Sequence, residues 1–260
     1  MRFDVITLFP AIFPGPLAAG VVGRALEQGL IQLETHDLRR WGLGAHRQVD
    51  DTPFGGGPGM VLRPEPLFAA VRAALELPDL PQPRGILLSA HGRRLDAALV
   101  EELARESRLL LVCGRYEGVD ERVRTGLGLD EVSVGDFVVS GGELPAMMLV
   151  EAVARHLPGT LGDPESAVDE SFSRGLPEYP HYTRPAVFEG MSVPEVLRSG
   201  DHAKIASWRA EAARERARRL RPDLLIGAGS EPAAAATDKH EDAERGMGAA
   251  AAGARLGGVR

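Results

Sequence analysis

Residues 114–154 read GRYEGVDERVRTGLGLDEVSVGDFVVSGGELPAMMLVEAVA. They follow Leu109–Cys113 (LLLVC), a short apolar run bounded by charge on one side and glycine on the other. A run of that length and bounding is expected as a core strand. It ends in Gly114-Arg115-Tyr116-Glu117-Gly118, which sets an aromatic ring and two opposite charges at the strand's carboxyl end. Open α/β sheets bind ligands at that end. The segment Ser133–Glu143 (SVGDFVVSGGE) repeats the device, and a helix is expected from Glu143. Gly135, Gly141 and Gly142 let a ligand approach backbone amides and carbonyls with no Cβ in the way. Polar, sharply turning backbone of this kind points to a small-molecule pocket rather than a plain hairpin.

The chain has 260 residues, of which 44% are hydrophobic. That is enough for a real core, and one ordinary domain with a smaller companion is the natural partition. No apolar run reaches eighteen residues, so no membrane span is expected. The start, MRFDVITLFP, is too short and too acidic for a signal peptide and reads as a first strand. One cysteine, Cys113, excludes internal disulfides and a thiolate metal cage. A cytoplasmic protein is expected. The net charge of −7 argues on its face against a polyanionic partner. Yet Lys204–Arg221 holds seven Lys/Arg against two Glu. Such a face can bind phosphate on an acidic protein because screening keeps these contacts local; a solvated helix face is the alternative.

Periodicity gives strands over Phe3–Phe9, Leu30–Thr35, Gly85–Ser89 and Leu109–Cys113. Helices are expected over Leu17–Gly29, Glu65–Leu77, Asp96–Glu106, Glu143 to about His156, Val193–Arg198 and Asp201–Leu220. Residues 42–60 form a long loop, of the kind that is usually functional or disordered. Strands alternating with helices predict an α/β fold on a mostly parallel sheet. The expected partition is a domain over 1–158, a polar linker over 159–178, and a small helical domain over 179–226. The tail over 227–260, with eleven Ala and seven Gly, is expected to be disordered.

Several long motifs now stand in one order: Ile6–Pro10 (ITLFP), Val49–Met60 (VDDTPFGGGPGM), the GRYEG turn, SVGDFVVSGGELPA, Pro180–Pro185 (PHYTRP) and Ser199–His202 (SGDH). From Met1 to about Leu225 the chain closely resembles the bacterial tRNA (guanine-N1)-methyltransferases, trefoil-knot enzymes of the SPOUT class. The resemblance implies a deep trefoil knot in the amino-terminal domain, formed where the two glycine-rich bends cross. It implies S-adenosylmethionine bound in that knot, largely by backbone groups. The implied contacts are Ser89, Gly92, Gly114, Tyr116, Glu117, Ser133, Val134, Gly135, Asp136, Phe137, Val138, Val139, Gly141, Gly142 and Pro145.

The implied reaction is methyl transfer to N1 of guanosine 37, next to the tRNA anticodon. N1 carries a proton, so the site needs a carboxylate base and a cation for the charge that spreads to O6. The resemblance sets the cation at Arg155 and the base within Ser166–Phe172. The family has aspartate immediately before the serine, where this chain has Glu170, with Asp169 one position earlier. Strict register makes Glu170 the base and Asp169 the alternative. The extra methylene moves a carboxylate by roughly 1.5 Å, a displacement that can cost about 10²-fold. The departure also leaves open a weakly active or inactive RNA- and donor-binding homologue.

Magnesium is an implied helper, with Glu117 its candidate contact and an Arg115–Glu117 salt bridge the alternative reading of that turn. Implied RNA contacts are His46, Asp50, Gly59, His181, Tyr182, Thr183 and Arg184, with Lys204, Arg209, Arg214 and Arg216–Arg221 on phosphates. Tyr182 suits base stacking or core packing equally. A homodimer with shared active sites is implied, and Met147, Met148, Leu149 and Val153 offer an apolar helix face for it, a pattern that ordinary core produces more often. Other chemistries find no support. No Lys-Ser/Thr follows Gly55–Gly59, which excludes a P-loop; no G-x-S-x-G elbow surrounds Ser89 or Ser140.

Overall fold

The computed structural model describes residues 1–162, 170–172 and 175–226. The expectations for Asp169 and for the tail over 227–260 lie outside these residues. Strand β1 (Arg2–Thr7) is followed by helices α1 (Pro14–Leu17) and α2 (Gly20–Glu27), strand β2 (Gln32–Asp37) and the short strands β3 (Asp50–Asp51) and β4 (Val61–Leu62). Helix α3 (Pro64–Leu75), strand β5 (Arg84–Arg94), helix α4 (Ala97–Ala104) and strand β6 (Arg108–Cys113) come next. Then follow helix α5 (Glu121–Leu127), strand β7 (Asp130–Ser133) and helix α6 (Glu143–Arg155). Strands β8 (Val187–Phe188) and β9 (Met191–Ser192) and helices α7 (His202–Leu220) and α8 (Asp223–Ile226) complete the order.

The main sheet has five strands in the order β2-β1-β6-β5-β7, all parallel. Its central strands are buried on both faces, as parallel sheets covered by helices require. Side chains alternate with period two along β6: Leu109, Leu111 and Cys113 enter the core with α2, α4 and α6, while Leu110 and Val112 enter the one with α3. Every strand therefore ends its carboxyl side on the same edge of the sheet, and the glycine-rich bends gather there.

One polar cluster is buried inside this framework. Asp4 and Arg108 are fully buried neighbours on β1 and β6, with Arg108 Nε 2.8 Å from the Asp4 carboxylate. Arg2 and His36 also reach Asp4, each at 2.8 Å. Arg108 donates further to the carbonyls of Ala74 (2.7 Å) and Pro81 (3.1 Å), fastening the end of α3 to the sheet. Burial alone would raise the Asp4 carboxyl. Hydrogen bonds from His36, Arg2 and Arg108 outweigh it and hold the carboxyl well below the usual carboxylate range.

Several expected boundaries are corrected. The helix expected over Leu17–Gly29 divides, because Gly20 takes a left-handed φ of 65° and starts a new helix. The second strand runs Gln32–Asp37 rather than Leu30–Thr35, in register with β1 from Arg2↔Gln32. Helix α5 and strand β7 went unread inside the quoted stretch. The helix has seven residues, between an Asp120 cap and a left-handed Gly128, and the strand only four, three of them polar. The expected Val193–Arg198 helix is a 3₁₀ turn over Glu195–Arg198, preceded by Pro194. The 42–60 loop contains structure of its own: Leu43 and Gln48 exchange backbone bonds, and β3 pairs antiparallel with β4.

Removing one partner of a buried ion pair typically costs about 3–5 kcal/mol. Asp4→Asn is expected to lose stability of that order in urea unfolding, and a double Asp4→Leu/Arg108→Met replacement less. The folded carboxyl titrates below the unfolded one, so its stabilisation is complete above about pH 4 and fades as the pH falls towards the folded value. The Asp4→Asn variant should lack that part of the acid dependence.

Candidate active site

Three bends meet at the carboxyl edge of the sheet. Strand β5 breaks register with β7 between Leu88 and Arg93, throwing out the Ser89–Gly92 bend. Strand β6 runs into Gly114–Gly118, and β7 into Ser133–Gly142. Here backbone lies directly on backbone. A Cβ on Gly142 would sit 2.8 Å from the Cys113 Cα and 3.1 Å from the Leu88 Cβ. A Cβ on Gly92 would sit 2.4 Å from the Glu131 carbonyl carbon. The Gly142 amide donates to the Gly114 carbonyl at 2.8 Å. The glycines are therefore required by the crossing of segments, which closed turns alone would not demand.

A buried carboxylate fastens the crossing. Glu143, the first residue of α6, is 1% exposed. It accepts from Thr7 Oγ1 at 2.8 Å and from Arg115 Nε at 2.9 Å. It thus joins the ends of β1 and β6 to the start of α6, where the helix dipole also favours a negative charge. Arg115 donates to the Ser140 carbonyl at 3.1 Å and lies over the Phe9 ring at 4.5 Å. The alternative Arg115–Glu117 salt bridge is corrected by this geometry: Arg115 is engaged by Glu143. Burial, with Glu143 nearby, pushes the Cys113 thiol well up, so it stays protonated and unreactive.

The bends enclose a cleft of about 270 Å³. Ser89, Gly114, Tyr116, Glu117, Ser133, Val134, Phe137, Val138, Val139, Gly141, Gly142 and Pro145 all line it. Gly92, Gly135 and Asp136 do not; Gly92 serves the β5–β7 crossing instead. His91, within the Ser89–Gly92 bend, also lines the cleft, and sequence reasoning missed Glu121, Arg124 and Glu131 on the same wall. Those three depend on α5 and β7, which the sequence pattern did not reveal. Phe137, Val138, Val139 and Tyr116 are exposed at the cleft, while Arg124 bridges Glu121 and Glu131. An apolar rim, accessible backbone and nearby carboxylates suit a ligand with a flat heteroaromatic ring, hydroxyls and a positive charge.

Metal binding finds a poorer fit. Among the described residues no group of three His, Cys, Asp or Glu is arranged to hold a metal ion. The Glu117 side chain packs instead where a Cβ on Gly59 would fall, 2.3 Å from its Oε1. These residues do not form a magnesium cage.

Arg155 closes α6, and its guanidinium is ion-paired with Glu170. The two residues expected to carry proton transfer and charge stabilisation are thus in contact. Helix α6 nevertheless separates them from the cleft: thirteen residues span about 20 Å at 1.5 Å per residue. On the outer face of α6, Leu144 and Met148 are 56% and 52% exposed, one turn apart. Met147, Leu149 and Val153, expected on that face, are buried in this chain's own core.

Among residues expected to meet RNA, His46, Gly59, His181, Tyr182, Thr183 and Arg184 are exposed and Asp50 is half-buried on β3. The Tyr182 ring lies 6.3 Å from Trp208 while remaining half exposed, so it packs at one side and keeps the other open. His181 stands 4.8 Å from the Tyr179 ring. Lys204 pairs with Asp201 at 3.0 Å, Arg214 with Glu211 at 3.3 Å, and Arg209 covers the Tyr179 ring at 4.6 Å. These cations therefore have protein partners already. Among the described residues no helix is long and apolar enough to cross a membrane.

The sequence profile of the family described as tRNA (Guanine-1)-methyltransferase TrmD matches residues 1–227. The chain is 54% identical over 228 residues to a tRNA (guanine-N(1)-)-methyltransferase of Rhodopirellula baltica, an alignment covering 86% of this chain and 94% of that protein. It is 52% identical over 225 residues to the protein of the same name from Moorella thermoacetica, covering 86% and 90%. For the Geobacter metallireducens protein, again so named, identity is 51% over 225 residues, covering 86% and 91%.

Overpacking a closed site costs about 1–3 kcal/mol. Gly142→Ala is expected to lose stability of that order in urea unfolding, because the Cys113 backbone cannot step aside. Gly15→Ala, with nothing within 4 Å of the new Cβ, should be neutral or slightly stabilising.

Proposed function

The chain belongs to the tRNA (guanine-1)-methyltransferase family, and from that premise we propose that it transfers a methyl group from S-adenosylmethionine to N1 of guanosine 37 in tRNA, in the cytoplasm. The observation that carries the chemistry is the Arg155–Glu170 ion pair. Guanine offers an acceptor at O6 beside a donor at N1–H; the pair offers a donor beside an acceptor. Guanine inserted between them receives a hydrogen bond from Arg155 at O6 and gives the N1 proton to Glu170. Adenine presents the opposite polarity on that edge and would leave both charged groups facing like partners. When bound, S-adenosylmethionine supplies an electrophilic methyl on a sulfonium, which passes to the N1 lone pair with release of the neutral thioether.

The glycine-lined cleft supports the donor assignment. Its backbone groups suit an adenine edge, Phe137 and Val138 suit the ring faces, and the Glu117 carboxylate favours a cation. The close backbone contact of the Gly114 and Gly142 segments supports a trefoil knot. The partition into a knotted domain over 1–158, a linker over 159–178 and a small tRNA-binding domain over 179–226 belongs to the same reading.

The 20 Å length of α6 supports a shared site. One chain holds its cleft at the start of this helix and its Arg155–Glu170 pair at the end. A second copy packed on the Leu144–Met148 face, with the two helices antiparallel, brings each pair to the other's cleft. A symmetric dimer of this kind uses one self-complementary patch. It also covers an apolar face that a lone chain would leave in water.

With a tRNA transcript carrying G at the target position, Glu170→Gln is expected to slow methylation by about 10²–10⁴-fold, without weakening donor binding measured by calorimetry. Asp169→Asn should retain most of the rate, and a transcript with A at the target should not be methylated. Full rate in Glu170→Gln would remove the proposed base. Donor and tRNA bound by the wild type without turnover would establish the binding-homologue reading instead.

A further inference from the structure

Seven basic side chains between Lys204 and Arg221 are the phosphate-binding face that composition favours. Most of them are engaged elsewhere. Arg218 pairs with Glu211 and Glu215 at 3.1 and 2.9 Å, and Arg221 with Asp223 at 2.7 Å. Arg216 donates to the Glu178 carbonyl at 3.0 Å.

The segment Leu38–Val49 (LRRWGLGAHRQV) is different: it contains Arg39, Arg40, His46 and Arg47 and no carboxylate. Its apolar members anchor it. Leu38 and Val49 are fully buried, and Trp41 packs on the same cluster. The polar members are thereby turned outward, and all four of these side chains are exposed. The chain folds back on itself between them. The Gly42 amide donates to the Arg39 carbonyl at 3.1 Å, while Leu43 and Gln48 exchange bonds of 2.8 and 2.9 Å. A Cβ on Gly42 would fall 2.7 Å from the Arg47 Cα, so the tip of the small hairpin lies against the Arg39 turn. Among the described residues none of Arg39, Arg40 and Arg47 makes an ion pair. The flanking Asp37 carboxylate accepts from the Arg39 amide at 2.9 Å, and the other flanking carboxylate is Asp50.

This basic turn stands at the carboxyl end of β2, on the edge that holds the cleft. Strand β6 is two places along the sheet, about 10 Å away at roughly 4.8 Å per strand. Backbone bonds bridge the interval: Arg63 to the Val49 carbonyl at 2.8 Å, and Leu62 to the Gly118 carbonyl at 3.0 Å. We propose that Arg39, Arg40 and Arg47 form a phosphate-binding surface for the RNA strand flanking the methylated guanosine. The inference rests on the reading that the substrate is tRNA. An interval of 10 Å corresponds to about three stacked nucleotides at 3.4 Å each, so this surface grips the backbone close to the target. Phosphate contacts of this kind position the strand without reading its sequence.

The test measures binding of an unmodified tRNA transcript between about 50 and 200 mM salt, for the wild type and for the triple variant Arg39→Gln/Arg40→Gln/Arg47→Gln. Each lost phosphate contact should flatten the slope of log affinity against log salt by about 0.7–0.9, a loss of about two or more for the triple variant. The KM for tRNA should rise at least about tenfold, with kcat at saturation little changed. Thermal midpoint and donor affinity should not move, because these side chains are exposed. The matching triple lysine variant, which keeps the charge, should recover most of the slope. A triple glutamine variant with wild-type slope and KM would overturn the proposal, as would an equal loss on neutralising Arg214, Arg218 and Arg219 while the turn is silent. A wild type that methylates tRNA despite a silent turn sinks only this surface. A wild type that neither binds nor methylates tRNA sinks the proposed function, and the surface with it.

Discussion

The carboxylate of Glu143 holds together what the site needs to have in one place. Buried beneath Arg115 and Thr7, it ties the ends of two adjacent strands to the first turn of α6. A buried charge so placed is stabilising only while every partner is present, and here the partners, Thr7 and Arg115, belong to two segments distant in sequence. The neighbouring glycines follow from the same constraint. Gly142 must lie on Cys113 for Glu143 to reach inward, and no side chain can intervene. Function and fold therefore share a few residues: the crossing that closes the core also leaves the backbone open to a ligand.

Helix α6 then sets the second constraint. It is rigid, apolar on its inner face, and carries the cleft at one end and Arg155 at the other. No side chain spans a separation of about 20 Å. Chemistry that needs both ends must draw on a second helix running the opposite way, and the exposed Leu144 and Met148 provide a face for it. The ion pair between Arg155 and Glu170 in one chain means that the proposed base and cation travel as a unit.

Much of this was legible in the sequence, for reasons that particular residues make plain. LLLVC could only be a core strand, and it is buried throughout. The GRYEG and SVGDFVVSGG bends announced the cleft because polar, glycine-rich backbone at a strand end has few other uses. What escaped were features set by tertiary contact. Helix α5 and strand β7 are too short to show a period. The partners of Arg115 were unreadable because Glu143 stands 28 residues away. The apolar face of α6 was ambiguous between a partner and this chain's own core, since Met147, Leu149 and Val153 satisfy the same pattern as Met148 while packing inward. Charge counting drew attention to α7, where neighbouring glutamates neutralise much of the signal, and away from Arg39 and Arg40.

The division of the site between two copies is tested most directly by mixing two inactive variants. Glu170→Gln spoils the base and leaves the cleft intact. Gly114→Leu fills the cleft, with its Cβ at a tolerable 3.4 Å from the Leu88 carbonyl oxygen. Each alone should be close to inactive. After subunit exchange, mixed dimers contain one site with an intact cleft and an intact pair, and about a quarter of the wild-type methylation rate should return in a symmetric dimer. A mixture no more active than its two components would contradict the account, because it would mean that each chain completes its own site.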